Sequence, residues 1–245
     1  VVTRTLKRND MTLSIVIPCY NEAGTLGEVL RRVLAVDLGA MQKEILVVDD
    51  GSTDGSAAIA AAVVRQHPTL VRVHRLARNR GKAAAVRRGF ALSRGDLVVI
   101  QDADLEYDPE DFRRMVPLFH RPSVDAVFGS RRITKNPVSG IFYFWGAQLI
   151  NLMTNLLYGV HLSDQFTCYK MLRRNILQQI PLRAERFAVD AELTAKLLRR
   201  GTRIHEVPIT YRPRTRAAGK KIRVRDGFHW LWEIVRHRWS SPQRW

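Results

Sequence analysis

Four short apolar runs rich in Val and Ile, from Leu13 to Pro18, Glu44 to Asp49, Leu70 to Leu76 and Asp96 to Asp102, are each closed by polar or turn residues. Runs of this length and composition predict buried β-strands. Between them, Thr25 to Val36, Ser56 to Gln66 and Lys82 to Ser93 carry helical spacing and good helix formers, so strand and helix alternate up to Asp102. Such alternation leaves little choice of architecture. Parallel strands need crossovers, the crossover helices cover both faces, and the expected product is an α/β domain with a mostly parallel central sheet. Ligands of such sheets bind beyond the carboxyl ends of the strands, so the polar tails of the four runs are where chemistry is to be sought.

After Asp102 the alternation fades. Pro109 opens a helix, Asp125 to Gly129 reads as a further strand, a helix from Phe187 to Arg200 is stopped by Gly201, and Arg203 to Tyr211 resembles a last extended piece. Beyond Tyr211 the composition shifts: Arg212, Arg214, Arg216, Lys220, Lys221, Arg223 and Arg225 crowd together. The expected organisation is therefore a main domain over 1–211 and a basic, Trp-rich segment over 212–245 with an amphipathic helix. The 245 residues, 46% of them hydrophobic, suffice for a full core without staples. Cys19 and Cys168 form no CxxC pair and read as packing residues, which suits a reducing compartment.

Forty Lys and Arg against 23 Asp and Glu give a formal charge of +17, so the partner is expected to be anionic: a nucleic acid, a diphosphate or an acidic membrane. The N-terminal VVTRTLKRNDM lacks the apolar core of a secretory signal. From Asn136 to Ser163 there is no Asp, Glu, Lys or Arg, yet Gln148, Asn151 and Asn155 recur on one helical face with Leu149, Ile150, Leu152, Met153, Leu156 and Leu157 elsewhere around it. That pattern predicts an amphipathic helix, buried or lying on a membrane, over a spanning one, because amides are costly in lipid. The tail puts Phe228, Leu231, Trp232, Val235 and Trp239 on one face beside Arg236 and Arg238, which suits a lipid interface, a helix packed on the domain, or a dimer contact.

The sharpest chemical signal is Asp102-Ala103-Asp104 after the fourth run. Two carboxylates one residue apart at a strand end suit a hard divalent cation, Mg²⁺ or Mn²⁺, able to bridge two phosphates and neutralise a departing nucleoside diphosphate. The plain alternative is a solvated loop that caps the helix at Pro109. In DDGSTDGS, Asp49 and Asp50 lie at the ligand edge and can accept hydrogen bonds from a base or ribose, while Asp54 or Ser56 suits a helix cap. Pro18-Cys19-Tyr20-Asn21-Glu22 offers a rigid turn, an aromatic face and a carboxylate. Arg78-Asn79-Arg80-Gly81-Lys82 brings cations and a helix N-terminus to where phosphates would lie, without Walker A spacing.

In this order and spacing SIVIPCYNE, VVDDGSTDGS, ARNRGKAAAVRRG and QDADLEYDP resemble the inverting family 2 glycosyltransferases of GT-A fold. FGSRR, DQFTCYK, Glu192 and the YRPR segment with its GKK extend the likeness to the dolichyl/polyprenyl-phosphate hexosyltransferase branch, from about Leu13 to Arg225. The resemblance implies a GDP-mannose or UDP-glucose type of donor, a divalent metal, inversion at the anomeric carbon and a polyprenyl-phosphate acceptor. Pro18, Tyr20, Glu22, Asp49, Asp50, Lys82 and Asp102 would then hold the nucleotide-sugar, and Asp102, Asp104 and Glu106 the metal. Arg131, Arg212, Arg214, Lys220 and Lys221 would hold the acceptor phosphate. Glu106 stands where the branch commonly has Gln, and DQFTCYK replaces its usual SGFR-type triplet.

A phosphate acceptor is already anionic and needs positioning more than deprotonation. A hydroxyl acceptor needs a base, for which Asp164, Asp190 and Glu192 are the candidates. The catalytic set expected from the sequence is Asp102, Asp104, Arg131, Asp164 and Glu192. A basic nucleic-acid-binding module is the remote alternative, and no stacking platform accompanies the charge. A nucleotidyltransferase would want a Gly-rich triphosphate loop, which SIVIPCYNEAG is not. The expected setting is the cytoplasmic face of an anionic membrane, with peripheral attachment and no nucleic-acid partner; a homo-oligomer is compatible with the tail.

Overall fold

The computed structural model describes residues 11–138, 140–214 and 224–240. The four apolar runs form β1 (Thr12–Cys19), β2 (Gln42–Asp49), β3 (Val71–Arg75) and β4 (Leu97–Ile100), and the helices between them are α1 (Leu26–Ala35), α2 (Ser56–Gln66) and α3 (Lys82–Leu92). β1 pairs in parallel with β2 on one side and with β4 on the other, and β2 pairs in parallel with β3. Leu13, Ile15, Val16 and Ile17 are fully buried, as are Val98 and Val99 of β4, because a strand covered on both faces must be apolar at successive positions.

β4 stops at Ile100, so Asp102-Ala103-Asp104 lies in the turn after the strand and not on its end. The chain continues through α4 (Phe112–Met115), flanked by two 3₁₀ turns, then β5 (Ala126–Ser130), α5 (Ile141–Tyr158), β6 (Lys170–Arg173), α6 (Arg174–Leu177), α7 (Val189–Arg199), β7 (Ile204–Pro208) and α8 (Val224–Trp239). The sheet runs β3-β2-β1-β4-β6-β5-β7. β6, which the sequence pattern does not reveal, is antiparallel to both β4 and β5, while β7 returns parallel to β5. The order reverses at β1, whose two neighbours β2 and β4 follow it in opposite directions across the sheet. A crevice opens at such a reversal.

Close packing of α3 on β1 depends on Gly89, where an added Cβ would lie 2.2 Å from Val16 Cγ1. Gly89→Ala is expected to destabilise the fold by roughly 1–3 kcal/mol by overpacking, although alanine is the better helix former by about 1 kcal/mol. Denaturant unfolding checks this, and an unchanged or raised midpoint would show that helix and strand separate freely.

The uncharged segment does form an amphipathic helix, with its polarity turned inward. Asn151 Nδ2 and Asn155 Nδ2 donate to Leu162 O at 2.6 and 2.9 Å, Asn155 Oδ1 accepts from Leu162 N at 2.9 Å, and Gln165 Nε2 donates to Thr154 Oγ1 at 2.7 Å. The amide row thereby pins the 162–165 turn, and Trp145, Leu149, Leu152 and Leu156 face outward. α8 docks beside it and on α7: Ile234 is fully buried, Tyr158 Oη donates to Ile234 O at 2.9 Å, and Arg238 Nε donates to Leu157 O at 2.6 Å. Of its expected apolar face, Phe228, Trp232 and Trp239 stay exposed while Leu231 and Val235 are half-buried. Together the two helices leave seven large apolar side chains between 54% and 74% exposed. No helix among the described residues is long and apolar enough to cross a membrane.

Candidate active site

Beyond the carboxyl ends of β1, β2 and β4 the turns lock together through backbone donors. Asn21, in the left-handed region at φ 51, accepts from Thr53 N at 2.9 Å and donates its N–H to Ser52 Oγ at 3.0 Å. Glu22 N donates to Ser56 Oγ and Ala23 N to Asp54 Oδ2, both at 2.9 Å. Asp54 and Ser56, expected to cap a helix, therefore also tie the first turn to the second. Gly51, at φ 75, lets the second turn meet the third, since a Cβ there would sit 2.8 Å from the Arg78 carbonyl carbon.

These turns floor a cavity of about 760 Å³, within the range that holds a nucleotide-sized ligand. Pro18, Tyr20, Glu22 and Asp50 line one side of it, as expected. Asp50 also accepts from Arg80 N at 2.8 Å and Gly81 N at 2.7 Å; burial raises its carboxyl pKa and these two N–H groups oppose the rise. Asp49 does not line the cavity, contrary to expectation. It is buried, accepting from Ser52 N at 2.9 Å and lying 3.2 Å from Arg75 Nε, so it shapes the turn that Asp50 presents.

The acidic turn is central. Asp102 Oδ1 lies 2.7 Å from Lys82 Nζ at the start of α3, and Asp104 Oδ2 lies 2.6 Å from Arg214 Nη2. Burial pushes the Asp102 carboxyl up, but the ammonium of Lys82, the Cys168 thiol and the charge of Arg214 together bring the net shift downward. Asp104 is pushed up to about 7, first by burial and then by the negative charge of Asp102, against the pull of Arg214. Glu106 accepts from Arg214 N at 2.8 Å and from Tyr211 Oη at 3.0 Å. The turn thus lines the cavity with three carboxylates, the oxygen donors a hard divalent ion prefers, although among the described residues their oxygens are not gathered within 4.8 Å of one another, as the ligand atoms of Glu192, Glu233 and His237 are. Each of the two aspartates is neutralised by a cation of the chain itself.

Arg131 is held by Asp164 through two parallel bonds, Nε to Oδ2 at 2.6 Å and Nη2 to Oδ1 at 2.9 Å, and its guanidinium lies 4.9 Å from the Tyr211 ring centre. Burial raises the Asp164 carboxyl, the bonds and charge of Arg131 with the charge of Arg132 oppose it, and the net shift is downward. Glu206 in turn accepts from Ser163 N at 2.7 Å and Asp164 N at 3.0 Å. Asp164 therefore supports Arg131 with both oxygens and, unlike Arg131, does not line the cavity. Glu192 is corrected in the same way: it is fully buried, lies outside the cavity lining, and accepts from Arg183 N, Ala184 N and Lys196 Nζ at 2.8, 2.7 and 2.8 Å. Of the three candidate bases only Asp190 lines the cavity, 3.4 Å from the buried Lys170 Nζ. Arg212 is exposed and does not line it, so of the expected acceptor-phosphate cations Arg131 and Arg214 remain; Lys220 and Lys221 lie outside the described residues.

The model of the family described as glycosyl transferase family 2 matches residues 14–181, more than half of the 245. The chain belongs to glycosyl transferase family 2. Among curated relatives it is 31% identical over 215 residues to a dodecaprenyl-phosphate galacturonate synthase of Rhizobium johnstonii, covering 86% of this chain and 62% of the relative. It is 38% identical over 168 residues to an undecaprenyl-phosphate 4-deoxy-4-formamido-L-arabinose transferase of Pseudomonas aeruginosa, covering 68% and 48%. The chain thus spans from about half to three fifths of the length of these relatives. Among solved structures, glucosyl-3-phosphoglycerate synthase of Mycobacterium tuberculosis, in complex with Mn²⁺, UDP-glucose and phosphoglyceric acid, superposes with a TM-score of 0.73 at 21% identity, covering 94% of this chain and 80% of that one. The likeness shows the fold: a seven-stranded, mostly parallel GT-A sheet flanked by helices.

Two cations in this family 2 cavity escape the sequence reading. Arg132 lies 4.2 Å from the Phe144 ring centre on α5, and Arg186 adopts φ 54 with its Nε 3.6 Å from Asp226 on α8. Neither sits in a motif that predicts its placement; only FGSRR, as a doubled arginine, hinted at the first.

Because the Asp104 proton is lost near pH 7, it competes with any divalent ion below that value. Mn²⁺ affinity is expected to be flat above about pH 8 and to fall by up to about tenfold per unit below pH 7, since the ligand must deprotonate. Titration calorimetry across this range checks it, and affinity independent of pH would remove Asp104 from the ligand set.

Proposed function

We propose that the chain is an inverting, divalent-metal-dependent glycosyltransferase that moves a hexose from a nucleotide-sugar to a polyprenyl phosphate at the cytoplasmic face of a membrane. The observation that carries this reading is one cavity lined both by the acidic turn and by Arg131, Arg132 and Arg186, and bordered by α5, whose outward face is apolar. The names of the dodecaprenyl- and undecaprenyl-phosphate relatives support the acceptor class, and the Mn²⁺ and UDP-glucose of the fold neighbour support the cofactor and donor class.

In this reading Pro18, Tyr20, Glu22 and Asp50 seat the nucleoside, while Lys82 at the α3 N-terminus faces the diphosphate. Asp102, Asp104 and Glu106 hold Mg²⁺ or Mn²⁺, which when bound supplies neutralising charge to the leaving diphosphate. Arg131, fixed by Asp164, holds the acceptor phosphate in line with the anomeric carbon, and no base is needed because the nucleophilic oxygen is already anionic. The seven exposed apolar side chains of α5 and α8 rest on the bilayer, which presents the lipid phosphate beside the cavity.

A hydroxyl acceptor is the second reading, favoured by Asp190 in the cavity lining. An assay with nucleotide-sugar, polyprenyl phosphate and Mn²⁺ tests the proposal. Transfer abolished by EDTA and retained by Asp190→Asn is the expected result. Undiminished turnover in EDTA counts against the metal, and loss on Asp190→Asn with transfer only to hydroxyl compounds favours the second reading.

A further inference from the structure

Arg214 differs from the other cations of the cavity in how it is held. Arg131 meets a single carboxylate with two parallel bonds, the geometry of a permanent support. Arg214 is spread over three acids from two separate turns: Nη2 at 2.6 Å from Asp104 Oδ2, Nη1 at 3.1 Å from Glu22 Oε2, and Nε at 3.7 Å from Glu106 Oε1. Its Nε is buried and finds no hydrogen-bond partner among the described residues. A guanidinium so placed neutralises a concentration of negative charge with one single bond to each of two acids and its Nε left without one, a poorer arrangement for a fixed ion pair than two parallel bonds and a reasonable one for an exchangeable counter-ion.

Asp104 Oδ2 is also an oxygen that a divalent ion would take, and such an ion binds carboxylate oxygen at about 2.0–2.2 Å. A guanidinium nitrogen in contact with that oxygen blocks the approach sterically and repels the ion electrostatically. We propose that Arg214 is a resident stand-in for the metal: it covers Asp104 Oδ2, the oxygen the metal would take, is displaced when the metal enters with the donor diphosphate, and is thereby released to the acceptor phosphate. The inference rests on the metal-dependent reading above. It yields an order of events, since the cation needed by the acceptor becomes free only after the donor and its metal are seated. The backbone supports the exchange: Arg214 N remains bonded to Glu106, and Tyr211 bridges Glu106 to the face of Arg131, so a released side chain stays within the same cavity.

The test is Mn²⁺ binding without donor, read by calorimetry or by the electron-spin resonance of free Mn²⁺. Arg214→Gln is expected to bind Mn²⁺ about tenfold or more tightly than the wild type, while Arg214→Lys, which keeps the charge, stays within about threefold of it. In the wild type, binding of inorganic phosphate is expected to strengthen when Mn²⁺ and UDP or GDP are present together, and in Arg214→Gln that strengthening is lost. Equal or weaker Mn²⁺ binding by a folded Arg214→Gln, judged by its melting curve, overturns the stand-in role while leaving the metal-dependent reading intact. No Mn²⁺ binding by any of the three proteins, with or without nucleotide, overturns both.

Discussion

In an Asp102→Asn variant, sugar transfer is expected to fall by about 10³-fold or more in kcat, because the change removes a carboxylate proposed to hold the metal where leaving-group charge develops. The loss comes with a second signature. Lys82 loses the partner 2.7 Å from its ammonium, and both side chains are only about one fifth exposed, at 17% and 21%. The variant therefore melts lower, by roughly 1–3 kcal/mol, less than a wholly buried pair would cost since water still reaches both groups. Kinetics with saturating donor and polyprenyl phosphate, beside a melting curve, separate the two effects. A variant that keeps its turnover would remove the acidic turn from the chemistry, whatever its stability.

The second large effect is expected at the surface. Changing Leu149, Leu156 and Trp232 together to Glu is expected to lower partitioning onto vesicles of mixed zwitterionic and anionic lipid by about 100-fold or more. Burying each such side chain is worth about 1.5–3 kcal/mol, and the carboxylates add repulsion from the anionic surface. All three are exposed, so the fold should survive the change. Co-sedimentation with vesicles reads the outcome. If the variant sediments as the wild type does and high salt releases both, the basic residues alone make the attachment.

The part of the fold that was legible in the sequence is the part whose physics is local. β1, β2 and β4 are covered on both faces, so their cores had to be apolar, and polar tails at their ends marked the cavity edge; pattern and the family resemblance together picked out Pro18, Tyr20, Glu22, Asp50, Lys82, Asp102 and Asp104, all of which line the cavity. β6 was missed because KMLR is four residues long and begins with a lysine. Lys170 is nonetheless fully buried, its ammonium satisfied by Thr167 O at 3.0 Å and by Asp190, partners that no window of sequence contains.

The acids after Tyr107 were harder for the same reason. Asp164, Asp190 and Glu192 look equivalent as residues, and their roles are assigned by what surrounds them: a guanidinium and Glu206 for Asp164, two backbone N–H groups and Lys196 for Glu192, the cavity for Asp190. Asp49 and Asp50 are neighbours that separate because successive residues beyond a strand end face opposite ways, one onto Arg75 and the other into the cavity. The helix over the uncharged segment was read correctly as amphipathic, but periodicity fixes only that two faces differ, and gives no sign of which one turns toward the protein.

That inward polarity makes hydropathy a misleading guide for anyone wishing to strengthen the proposed grip of α5 on lipid. Asn151 and Asn155 act as latches on the turn whose next residues carry Asp164, and through it the guanidinium of Arg131. Greasing the helix at its amides would leave its outer strip untouched and loosen, from behind, the arm proposed to steady the incoming phosphate.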